Sequence, residues 1–327
     1  LQQIDTVEQI QRNEQDQIGY GSKVTYTEPI GKYKYLELSY SYQQNQNDQQ
    51  KKFTDIVFAP QRQEIPNDIL SNTFFNKYEY HREGISFRYN RKKHNISPGV
   101  FFQQSYLNGG TGKDSLVKKS FPVILPKLSW NFSISQSQRL DVVYQTNQNE
   151  PTVDQLQPVV NNADPFNLSF GNPDLAPEYS HNLSINFSSF DQFSFMGIFG
   201  SISGTYTKDK ITYERRITRE LIQTSRPINV EKDIIVNSYV GFSTPIRLLG
   251  IKLNTSINSM YNKGIVFVDS IRNNTDRWIN TYNISIENRK KDLIDASIGF
   301  RLTQNLLVYS TDTKQNERFN NYTSYIY

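Results

Sequence analysis

Lys34-Tyr35-Leu36-Glu37-Leu38-Ser39-Tyr40-Ser41-Tyr42 alternates with a period of two. Leu36, Leu38, Tyr40 and Tyr42 fall on one face of an extended chain, and Glu37, Ser39 and Ser41 fall on the other. A helix would wind these residues around its axis, whereas a strand separates them into an apolar and a polar face. The same beat returns along the chain. Ile96, Val100, Phe102 and Tyr106 stand opposite Asn95, Ser97, Gln103 and Ser105, and Leu183, Ile185 and Phe187 opposite Ser184 and Asn186. Trp278, Tyr282, Ile284 and Ile286 alternate with Thr281, Asn283 and Ser285, and Ile294, Ala296, Ile298, Phe300 and Leu302 with Asp295, Ser297, Gly299 and Arg301.

The connections between these strands alternate in length. Short turns are expected at Glu28–Lys32, Asn90–His94, Ser135–Gln138, Ser188–Gln192, Thr244–Gly250 and Asn288–Asp292. Longer connections are expected at Gln43–Thr73, Leu107–Lys119, Asn147–Glu178, Arg215–Leu221, Asn262–Arg277 and Thr311–Asn316. Interleaved, they delimit about 13 antiparallel strands with short turns on one rim and long loops on the other, the outer-membrane barrel pattern. Stretches such as Thr73–Asn90 and Phe193–Tyr213 exceed the 5 to 6 residues usual in soluble strands and suit a tilted membrane span of about 9 to 11. A soluble all-β fold with uneven loops is the alternative reading of the pattern.

Composition agrees with strands. Aromatic residues make up 13% of a chain that is only 36% hydrophobic, and Tyr and Phe suit a pleated, half-buried surface. A negative mean hydropathy fits a membrane barrel, because only every second strand residue meets lipid. The net charge is +4 with Lys and Arg scattered, which argues against nucleic acid as partner. Without cysteine there is no disulfide framework, thiolate metal site or thiol nucleophile. No run approaches the 18 or so apolar residues of a membrane helix. The opening Leu1-Gln2-Gln3-Ile4 has neither a basic nor an apolar region, so any signal peptide is expected outside this sequence.

Catalytic motifs are scarce. His81, His94 and His181 lie far apart and outside any metal-ligand spacing, and neither a nucleophile elbow nor a Walker loop is present. No cofactor, metal or enzymatic reaction is therefore expected. Asn108-Gly109-Gly110-Thr111-Gly112 reads as a flexible loop tip. Tyr78, Tyr80, Phe87, Tyr89, Trp130, Phe132 and Trp278 fall towards expected strand ends, where rings rest at headgroup level. In a barrel, Leu36, Leu38, Tyr40, Leu183, Ile185, Ile284, Ile298 and Phe300 should face lipid, and Glu37, Ser39, Asn186, Asp295 and Arg301 the lumen.

One connection stands apart. Pro151-Thr152-Val153-Asp154-Gln155 carries the Thr and Gln of a capping box and predicts a short helical turn. Val153, Leu156, Val159, Val160, Phe166, Leu168 and Phe170 need cover, so this loop is expected to be ordered against the extracellular mouth. Asp154, Asp164, Asp174 and Glu178 crowd into it, either as solvated loop charges or as ligands of a cation or of sugar hydroxyls.

Within the same loop, Leu156-Gln157-Pro158-Val159-Val160-Asn161-Asn162-Ala163-Asp164-Pro165 and Gly171-Asn172-Pro173-Asp174-Leu175-Ala176-Pro177-Glu178 resemble the Bacteroidota outer-membrane β-barrel family allied to TonB-dependent receptors. The Gly-Asn-Pro-Asp-Leu-x-Pro-Glu core is the specific part. It resembles the segment that leads an extracellular loop into the next descending strand. Tyr33–Tyr40 and Ser225-Arg226-Pro227-Ile228-Asn229-Val230 share the likeness, which runs from about Tyr33 to the end of the chain. The motif residues make physical sense there: Asn172-Pro173 favours a turn, and Pro177 fits just before a strand.

The resemblance implies a transmembrane antiparallel up-and-down β-barrel spanning residues 1–327 as a partial domain. About 13 strands of a barrel of about 22 would be present, a size associated with plugged transporters. It implies a receptor in the cell outer membrane that takes up a scarce nutrient with energy relayed by TonB. Its partners would be outer-membrane lipid, its own plug domain, the TonB system and a small nutrient ligand, with no nucleic acid. Gly171, Asn172, Pro173, Asp174, Leu175, Pro177 and Glu178 would be the structural motif, and Asp164, Asp174 and Glu178 the polar candidates for contact with ligand or plug. No plug or TonB box is visible in these residues. A structural or adhesive barrel without transport and a soluble all-β carbohydrate-binding protein remain the alternatives.

Overall fold

The computed structural model describes residues 8–58, 61–68, 71–111, 117–156, 166–219, 221–288, 295–311 and 316–326. Thirteen strands form one antiparallel meander: β1 (Gln9–Gly31), β2 (Lys34–Phe58), β4 (Asn72–Arg91), β5 (His94–Thr111), β6 (Val117–Ser133), β7 (Gln138–Asn149), β9 (Glu178–Phe190), β10 (Gly197–Ile217), β11 (Gln223–Ile246), β12 (Ile251–Val268), β13 (Ile271–Asn288), β14 (Ser297–Tyr309) and β15 (Glu317–Ile326). Two short strands are added, β3 (Arg62–Pro66) on β2 and β8 (Asn167–Ser169) on β11. Each long strand pairs with its neighbour in the chain, without crossover, and among the described residues β1 and β15 are the open edges.

Five of the six expected short turns lie between the strands they were assigned to, on one rim; the sixth, Asn288–Asp292, lies past Asn288 outside the described residues. Two expected loops are instead strand. Gln43–Lys51 is a polar run within β2, laddered to β1 on one side and to β4 on the other. Hydrogen bonds to two neighbours fix such a segment without an apolar face. Asn262–Arg277 is equally a hairpin: β12 and β13 pair up to Val268↔Ile271 around Asp269-Ser270. Both turn residues have positive φ (49° and 63°), as a tight two-residue hairpin turn requires. Asn108–Thr111, expected as a flexible tip, completes β5 and pairs with β4.

Ladder partners share a face, so the register fixes orientation. Tyr26, Leu38, Ile85, Val100 and Pro126 form one row across β1 to β6. Val240, Ile257, Tyr282, Leu302 and Tyr322 form another across β11 to β15. Followed through every register, Leu36, Leu38, Tyr40, Leu183, Ile185, Ile284, Ile298 and Phe300 all share that face, and Glu37, Ser39, Asn186 and Arg301 share the opposite one. Asp295 lies in the connection before β14 rather than in a strand. The apolar face is bare: Ile85, Ile257 and Ile298 are each about half exposed (50%, 48% and 55%). That is the reverse of a soluble sandwich, whose apolar faces pack on each other.

Aromatic rings border this face. About ten residues from the short-turn rim, Tyr42 and His81 lie 5.1 Å apart, His181 and Tyr206 5.8 Å, and Tyr261 and Trp278 4.2 Å. Close to the rim, His94, Trp130 and Phe132 stack. Ten residues of a strand tilted at 45° rise about 23 Å, close to the height of an apolar band between aromatic girdles. Phe87, Tyr89, Trp130, Phe132 and Trp278 lie on this face as expected. Tyr78 and Tyr80 do not: even-numbered β4 residues point to the opposite, lumenal side, where Tyr78 is buried.

Candidate functional site

The buried apolar cluster is small and lies on the lumenal face, away from the short-turn rim. Phe74, Tyr78 and Leu107 project from β4 and β5 and meet Leu156 and Leu175 from the connection between β7 and β9. Tyr80, Phe121 and Ile211 pack around them. Burying Leu156 and Leu175 is worth roughly 1.5–3 kcal/mol each, which holds the loop inside the mouth.

The loop enters through the expected capping box. Gln155 Oε1 accepts from the Thr152 amide (2.9 Å), and Thr152 Oγ1 accepts from the Gln155 amide (3.3 Å). One helical turn follows, α1 (Val153–Leu156). Residues 157–165, with Val159, Val160 and Asp164, lie outside the described residues. Phe166 to Phe170 then run beside the end of β11 through β8, which pairs in parallel with Gln223–Ser225.

The Gly171–Glu178 motif is the anchor. The Asn172 amide donates to Gln155 O (2.6 Å), its carboxamide oxygen accepts from the Asp174 amide (3.1 Å), and its Nδ2 donates to Pro227 O (3.0 Å). Leu175 is fully buried. Asn229 closes on Ala176 from the other side and also donates to Asp209 O (2.7 Å). Glu178 Oε1 accepts from the Ile211 amide (2.8 Å) and pairs with Lys210 (2.9 Å). The two stretches singled out in sequence, Gly171–Glu178 and Ser225–Val230, are thus one interlocked unit. Glu178 is engaged in it, whereas Asp174 is exposed at the surface.

Asp209 (φ 53°) interrupts the ladder of β10 and β11 between Lys208↔Lys232 and Lys210↔Val230. Beyond this kink the hairpin leaves the wall, so that Ile211 reaches the core and Glu214-Arg215 pair with Phe267-Val268. Loop and hairpin together pack on the lumenal face of β4 and β5. Beneath them, Gln103 Nε2 donates to Ser105 Oγ (2.8 Å) and Gln148 Oε1 (3.1 Å), and Tyr78 donates to Ser105 (3.0 Å). Glu150 lies nearby, where burial pushes its carboxyl above the usual carboxylate range.

The histidines sit on strands as ring partners. His81 Nδ1 is 2.7 Å from Tyr40 OH, and His181 Nδ1 is 2.8 Å from Tyr144 OH. Among the described residues no three His, Asp or Glu side chains gather as a metal site. A lumenal cavity of 560 Å³ lies at the short-turn rim, lined among others by Phe190, Phe195, Phe199, Lys252 and Glu287.

Residues 2–325 match the sequence family described as the outer membrane protein beta-barrel family. The chain belongs to that family. Membership implies an outer-membrane location, where this chain's bare outward isoleucines and leucines would meet lipid. No curated protein matches the chain. Among solved structures, the copper transporter OprC is 10% identical and aligns over 97% of this chain and 56% of its own, with a TM-score of 0.55. The unliganded ferric citrate transporter FecA is 8% identical over 99% of this chain and 56% of its own (TM-score 0.49). The ferric enterobactin receptor PfeA of Pseudomonas aeruginosa is 10% identical over 95% and 62% (TM-score 0.42). At 10% identity the likeness to OprC concerns the fold. The chain spans between half and two thirds of the length of these structures.

Proposed function

We propose that this chain is the greater part of the barrel of a TonB-dependent outer-membrane receptor, of Bacteroidota type, that captures a scarce nutrient at its outer face and admits it to the periplasm. The observation that carries this reading is the Gly171–Glu178 anchor, which folds a long loop and the β10/β11 tip over the lumen. An anchored mouth offers a fixed surface to a ligand and to a plug. Further strands would complete a barrel of about 22, consistent with a path of 13 strands open at both edges. The barrel itself does no covalent chemistry in this reading. Asp174 is the exposed polar candidate for ligand or plug contact, and Asp164 is a second. OprC is a copper transporter; in this chain the mouth's carboxylates would suit a metal or an organic cargo alike.

The test is nutrient-limited growth of the native host with the gene deleted and restored, in the presence and absence of TonB. Loss of growth on one class of nutrient, reproduced by removing TonB, is expected. Growth unaffected by either deletion on every nutrient tried, together with attachment defects, would favour an adhesive barrel instead.

A further inference from the structure

The barrel wall is not hydrogen-bonded to its full height between β6 and β7. Their ladder runs from Ser133↔Arg139 only to Lys127↔Gln145. Above it, among the described residues, 117–126 pair with β5 alone and 146–149 with β9 alone. The β6 edge left over carries Pro122 and Pro126, which have no amide hydrogen to leave unpaired, as befits a deliberate edge. Two side chains bridge the gap instead: Thr146 Oγ1 donates to Pro126 O (3.1 Å), and Tyr179 OH donates to Ile124 O (2.8 Å). Lys127 stands about 14 Å up a tilted strand from Ser133, near the middle of the apolar band. The seam therefore faces the outer half of the bilayer, beside the 61%-exposed Ile124.

Directly inside the foot of the seam is a lumenal cavity of 180 Å³, lined among others by Lys23, Arg82, Lys127, Phe101, Leu125 and Thr146. Three cations line it, and among the described residues none of them is ion-paired; Arg82 donates to the neutral Gln103. Phe101 lies flat against Gly84, where an added Cβ would stand 2.0 Å from the ring, so it is fixed as an apolar wall.

We propose that this pocket and seam form a lateral binding site for an anionic amphiphile. The headgroup, a carboxylate or phosphate, binds Lys23, Arg82 and Lys127, and its acyl chain passes between β6 and β7 into the outer leaflet, displacing the side-chain bonds of Thr146 and Tyr179. Charge-assisted hydrogen bonds favour the anion, and a closed ladder would have blocked the chain. The site is independent of energised uptake.

The test uses the protein in non-ionic detergent with the fluorescent fatty acid cis-parinaric acid. Saturable binding is expected, displaced by oleate but not by oleyl alcohol or millimolar inorganic phosphate. Lys127→Gln, an exposed side chain whose loss leaves the fold intact, should weaken binding about tenfold, and the triple Lys23→Gln, Arg82→Gln, Lys127→Gln variant further. Equal displacement by the alcohol, or unchanged binding in the variants, overturns the role of the cations. Displacement by phosphate as effective as by oleate means that the pocket takes a free anion and overturns the lateral site, as does binding that never saturates. The acid and alcohol comparison needs no variant, so a misfolded triple mutant does not blunt the test.

Discussion

The carboxamide of Asn229 grips Ala176 by both sides of its backbone: its Oδ1 accepts from the Ala176 amide at 2.9 Å and its Nδ2 donates to the Ala176 carbonyl at 3.0 Å. A side chain here does what a neighbouring strand would do, where no strand lies. Replacing Asn229 with Ala leaves those two groups and Asp209 O without this partner. The expected cost is about 1–3 kcal/mol, confined to the mouth. Hydrogen exchange in detergent should show faster amides over residues 171–178 with unchanged protection in β12 to β14; equal rates throughout would refute the anchor.

Glu150 gives the mouth a pH dependence. Burial raises its carboxyl above the ordinary 4.5, so the folded loop binds the proton more tightly than the unfolded loop does. Loop stability is therefore greatest at low pH and falls as pH rises from about 4.5 through the folded value. Glu150→Gln should remove this slope and protect the loop at pH 7. Exchange rates of residues 166–178, corrected for intrinsic pH effects and compared at pH 5 and 8, read it directly.

Charge on the outward face should be costly. Ile257→Arg is expected to destabilise the barrel by about 2–4 kcal/mol if it lies near the midplane. Asn258→Arg, one residue along and on the lumenal face, should cost far less. Folding into lipid vesicles over a urea series measures both, and similar losses would mean that the two faces are not lipid and lumen.

Gly84 separates packing from backbone effects. A methyl group there would meet Phe101 Cδ1 at 2.0 Å, whereas at Gly200 the nearest atom is 4.0 Å away. Gly84→Ala should cost about 1–3 kcal/mol through displacement of the ring. Gly200→Ala should be close to neutral. The heat-induced mobility shift of the folded barrel on detergent gels ranks them.

Most of the wall was legible because lipid demands a strict beat: Leu36 to Tyr42 and Ile298 to Leu302 declare their face in every second residue. Where the chain rises above the bilayer that demand lapses. Gln43 to Lys51 then reads as a loop although two neighbours ladder it. The capping box at Thr152 was readable because its logic is local. The partnership of Asn172 with Pro227 was not, since 55 residues separate them, although each segment carries motif residues of its own. Tyr78 and Tyr80 misled because aromatic rings suit an interface and a buried cluster equally well. The missing rungs above Lys127 left a trace only in Pro122 and Pro126.

The kink at Asp209 bears on the order of assembly. Every long strand pairs with the strand before it, so the wall can grow hairpin by hairpin with short loops to close at each step. The knot of Asn172, Ala176, Glu178 and Asn229 cannot form until β10 and β11 have both arrived and turned inward. Assembly that proceeds strand by strand would pass through a species with this stretch of wall built and its entrance still gaping, and a protease supplied from outside should cut around Gly171 most readily in that interval.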